Sequence, residues 1–261
     1  NSGAITANYW LSEIYDSEIA EAHRSAALHL HDLSMLTGYC AGWSLKQLIQ
    51  EGLGGVPGKI TSSPAGHLST LCNQMVNFLG IMQNEWAGAQ AFSSFDTYLA
   101  PFVKVDNLTQ KEVKQCIQSF IYGVNTPSRW GTQAPFSNIT LDWTVPADLK
   151  DQPAIVGGKE MDFTYGDCKR EMDMVNKAFI EIMIEGDANG RGFQYPIPTY
   201  SITRDFDWSE TENNKLLFEM TAKYGTPYFS NYINSDMEPS DVRSMCCRLR
   251  LDLRELRKKS G

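Results

Sequence analysis

Two cysteines stand side by side in Met245-Cys246-Cys247-Arg248-Leu249. In extended backbone, neighbouring side chains point to opposite faces, so one thiol of such a pair can address a site while the other packs behind it. The plainer alternative is a pair of buried thiols beside a surface arginine. A metal site is disfavoured, because no second cysteine pair or nearby histidine pair has ligand spacing. A second concentration of chemistry is His29-Leu30-His31-Asp32. On a strand His29 and His31 would share one face, which suits a metal or a polar pocket. Asp32 and Ser34 would follow at the strand's end, where α/β active sites gather. The competing reading makes one histidine a satisfied core residue and Asp32 a cap. Cys40, in Tyr39-Cys40-Ala41-Gly42-Trp43, lies between an aromatic residue and a small-residue turn, as either a core thiol or a reactive one. The stretch from Glu85 to Asp96 mixes aromatic, small and polar residues, and Gly88-Ala89 would let two helices approach closely. In the loop from Arg129 to Asn138, the side chains of Gln133, Ser137 and Asn138 can hydrogen-bond a ligand or close a turn. Neither a phosphate-binding GxxxxGK[ST] loop nor a GxGxxG after a strand is present. Gly186-Asp187-Ala188-Asn189-Gly190-Arg191-Gly192 is rich in glycine but follows a helical pattern, and reads as a helix stop and turn.

The elements that would position these residues follow from periodicity. Residues 7–22 carry apolar positions at helical spacing, and 28–31 alternate with period two, which predicts a short strand. Ser44 to Gly52 predicts a helix closed by glycine, and Leu68 to Ala89 a long, largely apolar helix. Thr109-Gln110-Lys111-Glu112 is a capping box that opens a helix through Tyr122. Strands are predicted over Pro135–Trp143, Pro198–Thr203 and Pro227–Ile233. Between them fall an amphipathic helix over Thr164–Glu185, with Cys168, Met172, Val175, Phe179 and Ile182 in one stripe, and a helix capped within Ser209–Glu212. From residue 135 onward, strands and helices alternate as in βα units, so the expectation is one α/β domain, a barrel in preference to an open sheet.

Composition narrows the class. The chain has 261 residues, 42% of them hydrophobic and 21% charged, with a net charge of −8. An acidic balance argues against binding nucleic acid, whose phosphates call for a basic face. Free nucleotides remain possible ligands, since helix N-termini and a few basic residues suffice for them. No apolar run reaches the length of a membrane span. The six cysteines lack disulfide-framework spacing, and Cys72, Cys116 and Cys168 fall inside apolar helical patterns. The expectation is a reduced, cytoplasmic protein. The chain starts at Asn1 and stops at Lys258-Lys259-Ser260-Gly261 without a closing element, which reads as a fragment.

Five blocks in order resemble the anaerobic (class III) ribonucleoside-triphosphate reductases. They are His29-Leu30-His31-Asp32-Leu33-Ser34, Tyr39-Cys40-Ala41-Gly42-Trp43-Ser44, Glu85 through Asp96, Pro127-Ser128-Arg129-Trp130-Gly131 and Met245-Cys246-Cys247-Arg248-Leu249. The resemblance implies a ten-stranded α/β barrel with a finger loop through its centre, of which this chain would be an incomplete part, 1–261 being a partial barrel domain. It implies that Cys247 is the radical cysteine, with Cys246 behind it and Met245 beside the reacting centre. It makes Cys40 the second catalytic thiol, on the first barrel strand. A thiyl radical on Cys247 would take hydrogen from C3′ of the ribose, and the Cys40 thiol would supply hydrogen as the 2′-hydroxyl leaves as water. Formate would be the reductant. Candidate substrate contacts are His29, His31, Asp32, Ser34 and Asn138, and the candidate effector region includes Glu85, Gln90 and Asp96.

The resemblance also implies an N-terminal ATP-binding domain, a C-terminal glycyl-radical loop and a four-cysteine structural zinc site, none of them within this sequence. It implies a radical-SAM iron–sulfur activating enzyme, ATP and deoxynucleotide effectors, and a homodimer when complete. The isolated fragment is accordingly expected to be inactive. Two other readings compete: a pyruvate formate-lyase-like glycyl-radical enzyme, and a non-catalytic fragment that binds a partner chain. The separate Cys40 favours the reductase over the lyase.

Overall fold

The computed structural model describes residues 2–242 except 37, 39, 55–57, 59–60, 87 and 127–133. Met245, Cys246, Cys247, Arg129 and Gln133 lie outside the described residues. The chain opens with α1 (Ser2–Tyr9), a π-helical segment (Trp10–Ile14) and α2 (Ser17–Arg24). A short strand β1 (Ala41–Trp43) then leads into α3 (Leu45–Glu51) and α4 (Leu68–Met82). β2 (Gln90–Phe92), α5 (Phe95–Val105), α6 (Gln110–Asn125) and β3 (Ser137–Leu141) follow. Next come α7 (Ala147–Lys150), a hairpin of β4 (Pro153–Val156) and β5 (Lys159–Thr164), and α8 (Lys169–Glu185). The last elements are β6 (Ile197–Ile202), α9 (Glu212–Tyr224) and β7 (Tyr228–Asn231).

Five strands form one sheet in the order β1-β2-β3-β6-β7, every pairing parallel, with β4 and β5 apart as an antiparallel pair. Each sheet strand lies beside its predecessor, and the order never reverses. Right-handed crossovers then put all the connecting helices on one side of the sheet, as in a barrel wall, whereas a doubly wound sheet reverses its order and carries helices on both sides. The fold is therefore α/β, with five parallel strands in an unreversed order; the described residues do not form a closed barrel.

Local chemistry explains the elements. The Ser44 side chain accepts from Gln47 N to start α3, and Gly52 ends it at φ +75. A Cβ on Gly52 would meet Ser62 O at 2.2 Å, so only glycine closes this turn. Thr109 and Glu112 make the reciprocal capping box that opens α6. The predicted stripe of α8 is buried along its length, at Cys168, Met172, Val175, Phe179 and Ile182. Phe92 of β2, Ile139 and Leu141 of β3, and Tyr200 and Ile202 of β6 join the same core as Leu71, Met75, Phe95, Phe120 and Leu217 of the helices. α4 packs on α6, α6 on α8, and α8 on α5 and α9.

Several expectations are corrected. Residues 28–31 are not a strand: the Leu30 N–H donates to His23 Nδ1, and no ladder partner exists among the described residues. The long helix predicted to Ala89 stops at Met82, where the polar turn Gln83-Asn84-Glu85 follows and Asn84 Nδ2 donates back to Gly80 O. Gly88-Ala89 therefore lead into β2 rather than forming a helix contact. The helix predicted from Thr164 begins with a 3-10 turn, Tyr165–Cys168, and becomes α-helical at Lys169. The β4–β5 hairpin was not anticipated, although Gly157-Gly158, at φ +65 and +74, is a two-residue turn of the kind that joins antiparallel strands.

Candidate active site

Cys40 sits directly before β1 and is half-buried. The Ala41 N–H donates to Ala89 O at 3.0 Å, so the parallel register already holds at this point. Ala41 and Trp43 face the helices, and the pleat carries Cys40 and Gly42 to the other side. The row Gly42–Ala91–Asn138 crosses three strands on that second face. By the same alternation Thr140 of β3, and Thr199 and Ser201 of β6, share it. The second face therefore carries small residues near Cys40 and short polar side chains beyond them, together with Ile197, the partner of Asn138, and Tyr228, the partner of Thr199. Asn138, Thr140 and Thr199 are half-buried there. Thr140 Oγ1 accepts from Ser94 N at 3.2 Å, which fixes the turn leaving β2. Around Gly42 and Ala91 such a face lets a polar, hydroxyl-rich ligand come close to the backbone. Of the candidate substrate contacts, the structure brings Asn138 to the face of Cys40. Thr140, Thr199 and Ser201 share that face without having been named as candidates, and the alternation of Ser-Asn-Ile-Thr-Leu and Pro-Thr-Tyr-Ser-Ile is the sequence signal for it.

The remaining candidates lie elsewhere. His29 and His31 do not share a strand face, since this segment is irregular. The His29 ring lies 5.7 Å from that of His23, and His31 Nδ1 pairs with Asp32 Oδ2 at 2.6 Å. Ser34 packs against Gly3 of α1, where an added Cβ would lie 3.1 Å from Ser34 Cβ. Among the described residues, no group of three or more His, Cys, Asp or Glu side chains is arranged to hold a metal ion.

The three residues assigned to an effector region separate. Glu85 is exposed in the turn after α4. Gln90 is buried, with Oε1 accepting from Trp43 Nε1 at 3.0 Å and Nε2 donating to Leu79 O at 3.1 Å. Asp96 is fully buried and acts as an internal tie. Its carboxylate accepts from Thr97 N, Asp142 N, Trp143 N and Asn176 Nδ2 at 2.8–3.0 Å, and Asn176 in turn accepts from Tyr200 OH. Burial pushes the Asp96 carboxyl above the usual carboxylate range against those four donors. The side chains of Gln90 and Asp96 are thus bonded inside the protein.

The other thiols are poor candidates for chemistry. None of Cys40, Cys72, Cys116 and Cys168 is in a disulfide. Burial raises the Cys72 and Cys116 thiols, and raises Cys168 to about 12, so all three stay protonated and unreactive. A groove of 340 Å³ lies on the helix side, lined by Trp143, Lys169, Asp173, Lys177, Glu212 and Asn214. Its lysines are already paired, Lys169 with Asp173 and Lys177 with Glu212, and it is separated from Cys40 by the sheet. Among the described residues no helix is long and apolar enough to cross a membrane.

The wound parallel sheet is the fold of an anaerobic ribonucleotide reductase. The chain is similar to the Thermotoga maritima enzyme with dATP in its specificity site, at a TM-score of 0.67 and 23% identity over 90% of this chain and 42% of that one. It is similar to the same enzyme in complex with dATP and CTP, at 0.65 and 22% over 90% and 42%. With citrate in that enzyme's active site the values are 0.66 and 23% over 90% and 44%. The chain thus spans less than half the length of these solved structures. No curated protein matches it. The family model for anaerobic ribonucleoside-triphosphate reductase matches residues 1–261, and the chain belongs to that family.

Proposed function

We propose that this chain supplies one wall of the active site of an anaerobic ribonucleoside-triphosphate reductase, an oxidoreductase making deoxyribonucleotides. The observation that carries the reading is a family match along the entire chain, in a fold with a half-buried thiol at the head of the first sheet strand. On this reading Cys40 donates hydrogen to the ribose as its 2′-hydroxyl departs. A neutral thiol is what that step needs. Asn138, Thr140, Thr199 and Ser201 would hydrogen-bond the sugar hydroxyls from the same face. Cys247 would carry the thiyl radical and approach from the opposite side of the ribose, with Met245 beside it. A glycyl radical installed by a radical-SAM activating enzyme would generate that thiyl, and formate would return the reducing equivalents. Nucleotide effectors are expected to act as well, as the dATP complexes of the Thermotoga maritima enzyme illustrate.

The test is deoxynucleotide formation from each ribonucleoside triphosphate by the complete gene product, after activation and with formate present. Product that depends on formate supports the reading. Cleavage of a 2-oxo acid, with no nucleotide binding, would replace it with the lyase reading.

A further inference from the structure

β1 is only three residues long and, among the described residues, pairs with β2 alone, so these ladder bonds by themselves fix Cys40 weakly. The side chain of Trp86 touches the chain on both sides of that cysteine. Before it, a Cβ placed on Gly38 would lie 2.3 Å from Cζ3, 2.7 Å from Cε3 and 2.8 Å from Cη2 of the Trp86 ring, so Gly38 lies flat against the indole. After it, Trp43 meets Trp86 edge-on, with centroids 5.7 Å apart and planes at 88°. Trp43 is held in turn by Phe78 of α4, edge-on at 5.2 Å, and by its bond to Gln90. Gln90 then ties this assembly to α4 through Leu79 O. The chain is thus held by one indole at Gly38 before Cys40 and at Trp43 after it, and Trp43 links that indole to α4 through Phe78 and Gln90.

We infer that Trp86, braced through Trp43 and Gln90, is a positioning residue that sets the Cys40 thiol for hydrogen transfer. The inference rests on the catalytic reading of Cys40. Hydrogen-atom transfer depends steeply on donor placement, and a misplacement of about 1 Å can cost roughly 10²-fold in rate. Glycine at position 38 is then required by the ring it faces, not by its own backbone freedom.

The experiment uses the complete gene product carrying Gly38→Ala, Gly38→Ala with Trp86→Phe, Gln90→Met, and Cys40→Ala as reference. The readouts are kcat and KM for nucleotide reduction, and the alkylation rate of Cys40 by iodoacetamide, resolved by peptide mass spectrometry. Gly38→Ala is expected to lower kcat at least tenfold with KM within twofold, and to change the Cys40 alkylation rate severalfold. Adding Trp86→Phe, which removes the outer ring that the new methyl would strike, is expected to restore most of both. Gln90→Met keeps the volume but breaks the tie to Trp43, and is expected to lower kcat with a smaller change in alkylation. Unchanged alkylation and kcat in Gly38→Ala and Gln90→Met would overturn the inference, as would a Gly38→Ala defect that Trp86→Phe leaves in place. Full activity in Cys40→Ala would instead overturn the catalytic reading of Cys40, while the alkylation rates still report on the grip.

Discussion

The two faces of one sheet are built from the same strands and are chemically unlike. Toward the helices, Phe92, Ile139, Leu141, Tyr200 and Ile202 interlock with α4, α5, α6, α8 and α9 in a continuous apolar core. Toward the other side, Gly42, Ala91, Asn138, Thr140, Thr199 and Ser201 bring little apolar surface. The alternation of β3, where Ser137, Ile139 and Leu141 are buried and Asn138 and Thr140 only half-buried, shows the division within five residues. Stability is concentrated on the first face, so the second is free to carry short polar groups and a thiol. Parallel sheets covered on both sides usually read as unbroken apolar runs. The departure from that pattern in β3 and β6 is the structural support for proposing a site on the second face.

The sharpest way to break this comparison is to truncate neighbours on opposite faces. Phe92→Ala is expected to destabilise by about 3–5 kcal/mol, and Asn138→Ala by no more than about 1.5 kcal/mol while reducing turnover. Denaturant unfolding beside an activity assay checks both; equal losses of stability would remove the distinction. Asp96→Ala should cost at least about 3 kcal/mol, because it strands the N–H groups of Asp142 and Trp143 and the Asn176 amide inside the protein. A smaller loss would mean that the tie between α5, β3 and α8 is not structural. Thr109→Ala should cost about 1 kcal/mol through the lost cap of α6, far from the second face, with turnover unaffected. The smallest effect concerns pH. Hydrogen bonds from Thr109 hold the Glu112 carboxyl below its usual range, so its contribution is present above the unfolded value of 4.5 and lost as pH falls through the lower folded value. Glu112→Gln should therefore lower Tm at pH 6, with the gap closing as pH falls through that lower folded value; a gap that persists in strong acid would contradict the capping role.

How much of this was readable from residues depends on what each segment packs against. The helix of Thr109 carries its own start signal, and the stripe of α8 has a clear period, so both were anticipated. β2 and α5 were not, because residues 91–103 are buried on every side and lose the periodicity that separates strand from helix. Pro101 inside α5 obscured it further. The false strand at 28–31 had the alternation of a strand without a neighbour to pair with, and alternation alone cannot supply one. Cys40 and Asn138, both named as candidates, fall on one face of the sheet, whereas the side chains of Gln90 and Asp96, named for an effector region, bond inside the protein. A polar residue in a motif looks the same in sequence whether its atoms face a ligand or are spent on Trp43, Leu79 or the end of β3. The role of Trp86 depends on contact with Gly38, 48 positions away, which no local pattern announces.

The measurement that tests the account most directly is nucleotide reduction by the complete gene product carrying Cys40→Ala, run beside nucleotide affinity and thermal unfolding. The account predicts that deoxynucleotide formation falls below detection while affinity and Tm stay near those of the unmodified protein. Turnover retained at the unmodified rate would contradict it, and would move the chemistry away from the face that Cys40 begins.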